Sequence, residues 1–174
     1  MSAISESTNQ TDNTAAVGRA RPLLIVDASN VAFGNSGLSR KPSLATLRVV
    51  LEKIPVERYE VKVLADASLR HRIDRKEEYE ALVRSGVILQ TPAGRTADQF
   101  MAHLARKRRF EGQRVLILTN DLLRQYLDLE PLRATFLMVE DGEVIFDPPL
   151  EPASPVPSME GLPVLADPVH EVSL

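Results

Sequence analysis

Through the middle of this chain, apolar runs of strand length alternate with amphipathic helical stretches. That alternation predicts an α/β fold. Two further observations sharpen it. The strand-like runs are short, β-branched and almost continuously apolar, as expected where a parallel sheet is buried on both faces. The last run is broken by Asp141-Gly142, a hairpin turn signal. Right-handed crossovers then give a three-layer α/β/α arrangement, with a mainly parallel central sheet and a C-terminal hairpin.

Each element has its own signal. Residues 22–27, PLLIVD, read as the first strand. A helix begins near Pro42, a residue suited to a first helical turn. It carries Leu44, Leu47, Val50, Leu51 and Ile54 on one face and stops at Pro55. Residues 59–66, YEVKVLAD, form a second strand. Asp74 and Glu77 have capping-box spacing ahead of DRKEEYEALVRS, a helix that Gly86 closes. Residues 87–91, VILQT, are a third strand. Thr96 and Gln99 form a second capping box, opening TADQFMAHLARKRRF, which ends at Gly112. RVLILT (114–119) is a fourth strand, DLLRQYL (121–127) a short helix, and residues 134–146 a strand and hairpin.

Composition sets the limits of the folded unit. With 174 residues, 44% of them hydrophobic, the chain has room for one domain with tails. Residues 1–20 are polar and small, residues 148–174 hold seven of the twelve prolines, and the domain is expected at 21–147. No apolar run approaches the roughly 18 residues of a membrane span, and the N-terminus lacks a signal-peptide pattern, so a cytoplasmic protein is expected. Cysteine is absent, which excludes disulfides, thiolate metal sites and cysteine nucleophiles. The net charge of −3 conceals a division. Residues 21–133 carry 20 Lys/Arg against 14 Asp/Glu, whereas residues 134–174 carry eight acids and no Lys or Arg. A basic body with an acidic, Pro-rich end predicts a polyanion-facing surface. The tail is then either a solubilising segment, a lid over that surface, or a docking segment for a protein partner.

The acids fall at particular places. The first strand ends in Asp27, the second in Asp66 and the fourth in Thr119-Asn120-Asp121. Parallel strands all end on one side of the sheet, the edge where open α/β sheets bind ligands. Asp98 joins them, because its helix starts from a loop leaving that edge, and Asn30 lies three residues beyond Asp27. Singly, each has a local explanation, such as a turn contact or a favourable place in a first helical turn. Together, four carboxylates repel one another unless a cation neutralises them. Hard oxygen donors without Cys or paired His favour Mg²⁺ or Mn²⁺ over zinc. There is no GxGxxG, P-loop or GxSxG motif, and His71, His103 and His170 share no ligand spacing.

The motifs LLIVDASNVAF, ADAS, TPAGRTAD, LTND and GEVIFDPPL, in that order over residues 23–150, resemble NYN domains. These are the branch of the PIN-like nuclease fold that includes the Regnase-type ribonucleases. The resemblance implies a metal-dependent endoribonuclease that hydrolyses single-stranded RNA to 3′-hydroxyl and 5′-phosphate ends. It places Asp27, Asn30, Asp98 and Asp121 at the catalytic positions, with Asp27, Asp98 and Asp121 holding Mg²⁺ or Mn²⁺; Asp66, at the end of the second strand, is the less fixed fourth candidate. Two positions depart from the family pattern. Ala97-Asp98 stands where Regnase-type members often have two adjacent acids, and Gln125 where they tend to carry another.

Cations that follow strand ends would admit a phosphate chain to such a rim: Arg40 and Lys41, then Arg70 and Arg72, then Arg95. Phe33 is the best-placed aromatic for stacking a base. The run Arg106-Lys107-Arg108-Arg109 ends a helix and belongs at the opposite edge. The principal alternative is an NYN-like module that binds RNA or a protein without cutting. A phosphate-acceptor domain modified at Asp66 is a weaker third reading, since the lysine such domains place after a late strand is missing.

Overall fold

The computed structural model describes residues 20–34, 41–139 and 142–151. The expected sites at Arg40 and Asp141, the tail from residue 152 and most of the N-terminal segment lie outside them. The order of elements is β1 (Leu23–Asp27), α1 (Ala28–Phe33), α2 (Leu44–Glu52), β2 (Glu60–Ala65), α3 (Lys76–Arg84), β3 (Ile88–Gln90), α4 (Ala97–Phe110), β4 (Val115–Leu118), β5 (Arg133–Met138) and β6 (Val144–Asp147). Short 3₁₀ turns occupy Leu69–His71 and Leu127–Leu132. The sheet runs β3-β2-β1-β4-β5-β6; all neighbours are parallel except the β5–β6 hairpin. This is the predicted α/β class with its terminal hairpin.

Alternation along β1 divides the core into two layers. Leu24 and Val26 pack with Ala28, Val31, Leu44, Leu47, Val50 and Tyr79, beneath α1, α2 and α3. Leu23 and Ile25 face the other way, onto Met101, Ala102 and Ala105 of α4 and Leu129 of the second 3₁₀ turn. All five residues of β1 are buried, as its unbroken apolar run requires.

Besides the short α1 helix, which the sequence pattern did not predict, the chain departs from the sequence-based expectation at four points. First, the 44–52 helix starts two residues after Pro42, which lies outside it: Ser43 is its N-cap, and that side chain makes no capping bond. Second, Asp74 does not open α3. Its carboxylate accepts the Leu44 N–H of α2 at 2.6 Å, while its own N–H donates to Pro42 O at 3.2 Å. The α3 N-cap is Arg75, in left-handed conformation (φ 47°) with no side-chain cap. A tertiary capping bond has displaced the local one. Replacing Asp74 with Ala is therefore expected to lower stability by about 1 kcal/mol, a loss assigned to α2 rather than α3; urea titration with amide exchange in the two helices separates them.

Third, residues 121–127 are not a helix. The Asp121 carboxylate takes the Leu123 N–H at 2.9 Å, and Leu123 sits at φ 48°. A short acidic side chain has outcompeted the backbone for that donor. Fourth, the folded body passes residue 147. Leu150 is buried in the first core layer, the Glu151 N–H donates to the Tyr59 hydroxyl at 3.1 Å, and the Glu151 carboxylate pairs with Arg58 and Arg114.

The Thr96 capping bond does form, to the Gln99 N–H, and α4 ends at Phe110 with Glu111 as its C-cap, before Gly112, whose φ of 81° suits a residue without a Cβ. No helix among the described residues is long and apolar enough to cross a membrane.

Candidate active site

The strand order reverses between β1 and β4, from which the chain proceeds outward in opposite directions. Ligands of open α/β sheets bind at the carboxyl ends of the strands at such a switch point. Asp27 and Thr119 lie there, on adjacent strands. Among the described residues they belong to a set of four buried polar side chains, Asp27, Ser29, Thr91 and Thr119, each at or just past the carboxyl end of a strand. Burial of polar groups is unfavourable without partners, and here it is confined to one edge.

Asp27 is only 4% exposed, and both of its oxygens have protein donors. Oδ1 accepts the Asn30 N–H at 3.0 Å, capping α1, and Oδ2 accepts the Thr119 hydroxyl at 2.9 Å. Thr119 Oγ1 in turn accepts the Asp121 N–H at 3.1 Å. One hydroxyl thus links the acids of β1 and of the loop after β4. Asn30 is anchored by its carbonyl, Oδ1 accepting the Asn120 N–H at 2.8 Å. Its amide nitrogen has no protein acceptor among the described residues. Asn120 spans to the next strand, with Nδ2 donating to Phe136 O and Oδ1 accepting Phe136 N–H, at 2.9 and 3.0 Å.

Asp66 is tied on two sides. Its N–H donates to Ser29 Oγ at 3.0 Å, and its Oδ1 accepts the Ala97 N–H at 2.7 Å. That second bond fixes the start of α4, and with it Asp98 in the first helical turn. Three loops are thereby locked around the rim by short polar contacts. Ser29, Thr119 and Asn120, which make them, carry no periodic signal; the only clue in the sequence is their position at strand ends.

The electrostatics follow from this crowding. Burial pushes the Asp27 carboxyl up to about 6, against the pull of its two hydrogen bonds, and the charges of Asp98 and Asp66 raise it further. Asp98 is also raised, by burial first and then by Asp121 and Asp66. Tyr79, whose buried hydroxyl has no partner among the described residues, is raised to about 12 by burial and by Asp66. The four acids form one interacting group.

Among the described residues no three His, Asp or Glu side chains close into a ready-made metal cage. The donor set nevertheless fits a hard cation. Carboxylate oxygens each keep a second acceptor position when one is used, and Mg²⁺ is usually held by one or two carboxylates with waters and phosphate oxygens completing its shell. The mutual repulsion recorded in Asp27 and Asp98 is what a divalent charge would relieve.

The surrounding cations divide into two groups. Arg70, Arg72, Lys41 and Arg95 are exposed on loops that follow strand ends. The Arg72 guanidinium lies 5.2 Å over the Phe33 ring, so the expected stacking surface of Phe33 carries a cation on one face. Arg70 Nε donates to His71 Nε2 at 3.2 Å. At the far edge, Arg106 makes a two-pronged contact with Asp128 at 2.7 and 2.9 Å and lies over Tyr126, while Arg108 pairs with Glu60 and Glu111. A cavity of about 980 Å³ at that edge, between Arg21, Arg58, Arg108 and Arg114, is seamed by ion pairs to Glu60, Glu111 and Glu151 and lies away from the acids.

No curated protein matches the chain. The family model described as the Zc3h12a-like ribonuclease NYN domain matches residues 20–138, a span that begins just before β1 and ends with β5. It contains all four acids, Asn30 and Thr119, and covers more than half of the sequence. The chain belongs to the Zc3h12a-like ribonuclease NYN domain family.

Proposed function

We propose that this protein is a metal-dependent endoribonuclease that hydrolyses single-stranded RNA, with Asp27, Asp98 and Asp121 as ligands of Mg²⁺ or Mn²⁺. The observation that carries this reading is the coupled group of acids at the switch-point edge of a ribonuclease-family fold. When bound, a divalent cation supplies Lewis-acid activation of a water and positive charge beside the phosphate. The remaining tasks belong to the chain. Thr119 and the Asn30 backbone hold the Asp27 carboxylate in one orientation, leaving its free lone pairs directed away from its two donors. The Asn30 side-chain amide, anchored through its oxygen, has N–H groups to offer a phosphate oxygen without adding negative charge. None of these roles needs a histidine base.

Arg72, Arg95, Arg70 and Lys41 offset the rim's negative potential toward an incoming polyanion. Arg72→Ala and Arg95→Ala are expected to raise KM several-fold with little change in kcat. Each should also reduce the slope of log affinity against log salt by about one. Filter binding across a salt series checks this, and an unchanged slope would remove that residue from the RNA path.

A second reading, an RNA-binding module without catalysis, is favoured by Ala97 and Gln125, the two positions that depart from the family pattern. One experiment decides between them. Labelled single-stranded RNA is incubated with Mg²⁺, Mn²⁺ or EDTA, beside the Asp27→Asn and Asp121→Asn proteins. Cutting that needs metal and disappears in both variants supports the enzyme. RNA bound but uncut over hours at high protein concentration supports the module.

A further inference from the structure

We propose that the hollow between the loop after β2 and the loop after β3 is a ribose subsite, in which Asp66 accepts the 2′-hydroxyl of a nucleotide and so selects RNA over DNA. This rests on the reading of the neighbouring rim as an RNA-cleaving site, and it assigns that site a specificity residue.

The hollow measures about 470 Å³, within the range of small-molecule pockets. Its polar lining is Asp66, Ser68, His71, Arg95 and Thr96, and Ala93 and Gly94 form a short-chained wall. A Cβ built on Gly94 would meet nothing within 4 Å, so the wall leaves open room in front of it. No Phe, Tyr or Trp side chain lines the hollow, and the imidazole of His71, held at Nε2 by Arg70, is its one ring. A base entering it would find no broad ring to stack on, whereas a sugar needs none.

Asp66 determines what fits there. Its backbone and Oδ1 are already fixed by Ser29 and Ala97, while Oδ2 has no donor among the described residues. An ionised carboxylate only accepts hydrogen bonds and would repel a phosphate, so the group set beside it must be neutral and must donate. The 2′-hydroxyl of ribose meets both conditions and is the atom by which a protein tells RNA from DNA. The phosphate end of the same nucleotide is then directed to the cationic part of the lining. Arg95 is there, and His71, whose Nε2 accepts from Arg70, keeps its Nδ1–H as a donor. Ala97, which binds Asp66 Oδ1, adjoins Asp98, so a sugar in the hollow has its phosphodiester beside the catalytic rim.

The test is a binding measurement, independent of cutting. Fluorescence anisotropy in EDTA and in Ca²⁺ compares a single-stranded RNA 12-mer, its DNA counterpart, and RNA strands carrying one 2′-deoxy position each. The full chain is expected to bind RNA about tenfold more tightly than DNA, with most of the difference recovered at one position. Asp66→Asn, which keeps an oxygen for Ala97 but replaces the charged acceptor with a neutral amide N–H that the 2′-hydroxyl can meet only as an acceptor, should lower the ratio several-fold without weakening DNA binding. Ala93→Leu, on the loop opposite Asp66, narrows the hollow and should lower RNA affinity to the DNA level. Equal binding of RNA and DNA by the unaltered protein, no binding of either, or a ratio that survives Asp66→Asn would overturn the subsite. If the ratio behaves as expected but no metal supports cleavage, the subsite stands and the nuclease reading falls. If RNA and DNA bind alike and cutting ignores every 2′-deoxy substitution, the nuclease reading stands and the subsite falls.

Discussion

Asp27→Asn is expected to abolish RNA cleavage and, at the same time, to make the metal-free protein more stable near neutral pH. The two effects have one cause. Asp27 is 4% exposed and faces Asp98 and Asp66, so its carboxyl holds a proton up to about pH 6 when folded, against 3.8 as an ordinary aspartate. In EDTA the folded state therefore binds more protons than the unfolded chain between those values. Stability falls as the pH rises through that window, and the penalty is complete above it. A displacement of that size corresponds to at most about 3 kcal/mol. Asparagine keeps an acceptor for the Asn30 N–H and carries no charge, so a gain of about 1–3 kcal/mol is expected at pH ~8, shrinking to nothing by pH ~4. Urea titrations across that range check the sign, and a variant less stable than the parent at pH ~8 would refute it. Added Mg²⁺ or Mn²⁺ should stabilise the parent and leave the variant unmoved. Cleavage should fall by roughly 100-fold or more.

Thr119→Val has the opposite balance, harming both stability and rate. The fully buried hydroxyl donates to Asp27 Oδ2 and accepts the Asp121 N–H, and valine of similar shape does neither. Leaving such groups unsatisfied costs about 1–3 kcal/mol each. A loss of positioning contacts around a metal site typically lowers activity by roughly 10–100-fold. The variant should also need more metal for half its maximal rate, which a merely destabilising change would not produce. Thr119→Ser, which restores the hydroxyl, is expected to recover most of both; thermal melts and metal titrations of the two variants provide the comparison.

The sequence revealed the parts of this molecule governed by period and by strand ends. The short, β-branched apolar run at Leu23–Val26 reads as a buried parallel strand, and the places of Asp27, Asp66 and Asp121 follow from the common direction of such strands. What it did not reveal is how distant polar groups choose partners. The Asp74-Glu77 spacing satisfies a capping pattern, yet Asp74 caps a helix 30 residues earlier in the chain. Thr119 and Asn120 bond to partners 92, 90 and 16 residues away, and no local pattern encodes such pairings. The 121–127 segment has helical periodicity, and a single carboxylate overrides it at Leu123. Leu150 sits among prolines that resemble the beginning of a tail, but its side chain fills a place in the core beside the start of β2.

The two limits of the described body meet. Ala20 and Glu151 line the same cavity, at the edge of the sheet where β1, β2 and β4 begin, with Glu151 clamped between Arg58 and Arg114. The domain is thus held like a lamp by its base: any sequence, surface or fusion partner joined at either end attaches on the side turned away from the acids. Immobilising the domain through Ala20 or Glu151 should therefore leave the rim facing solution.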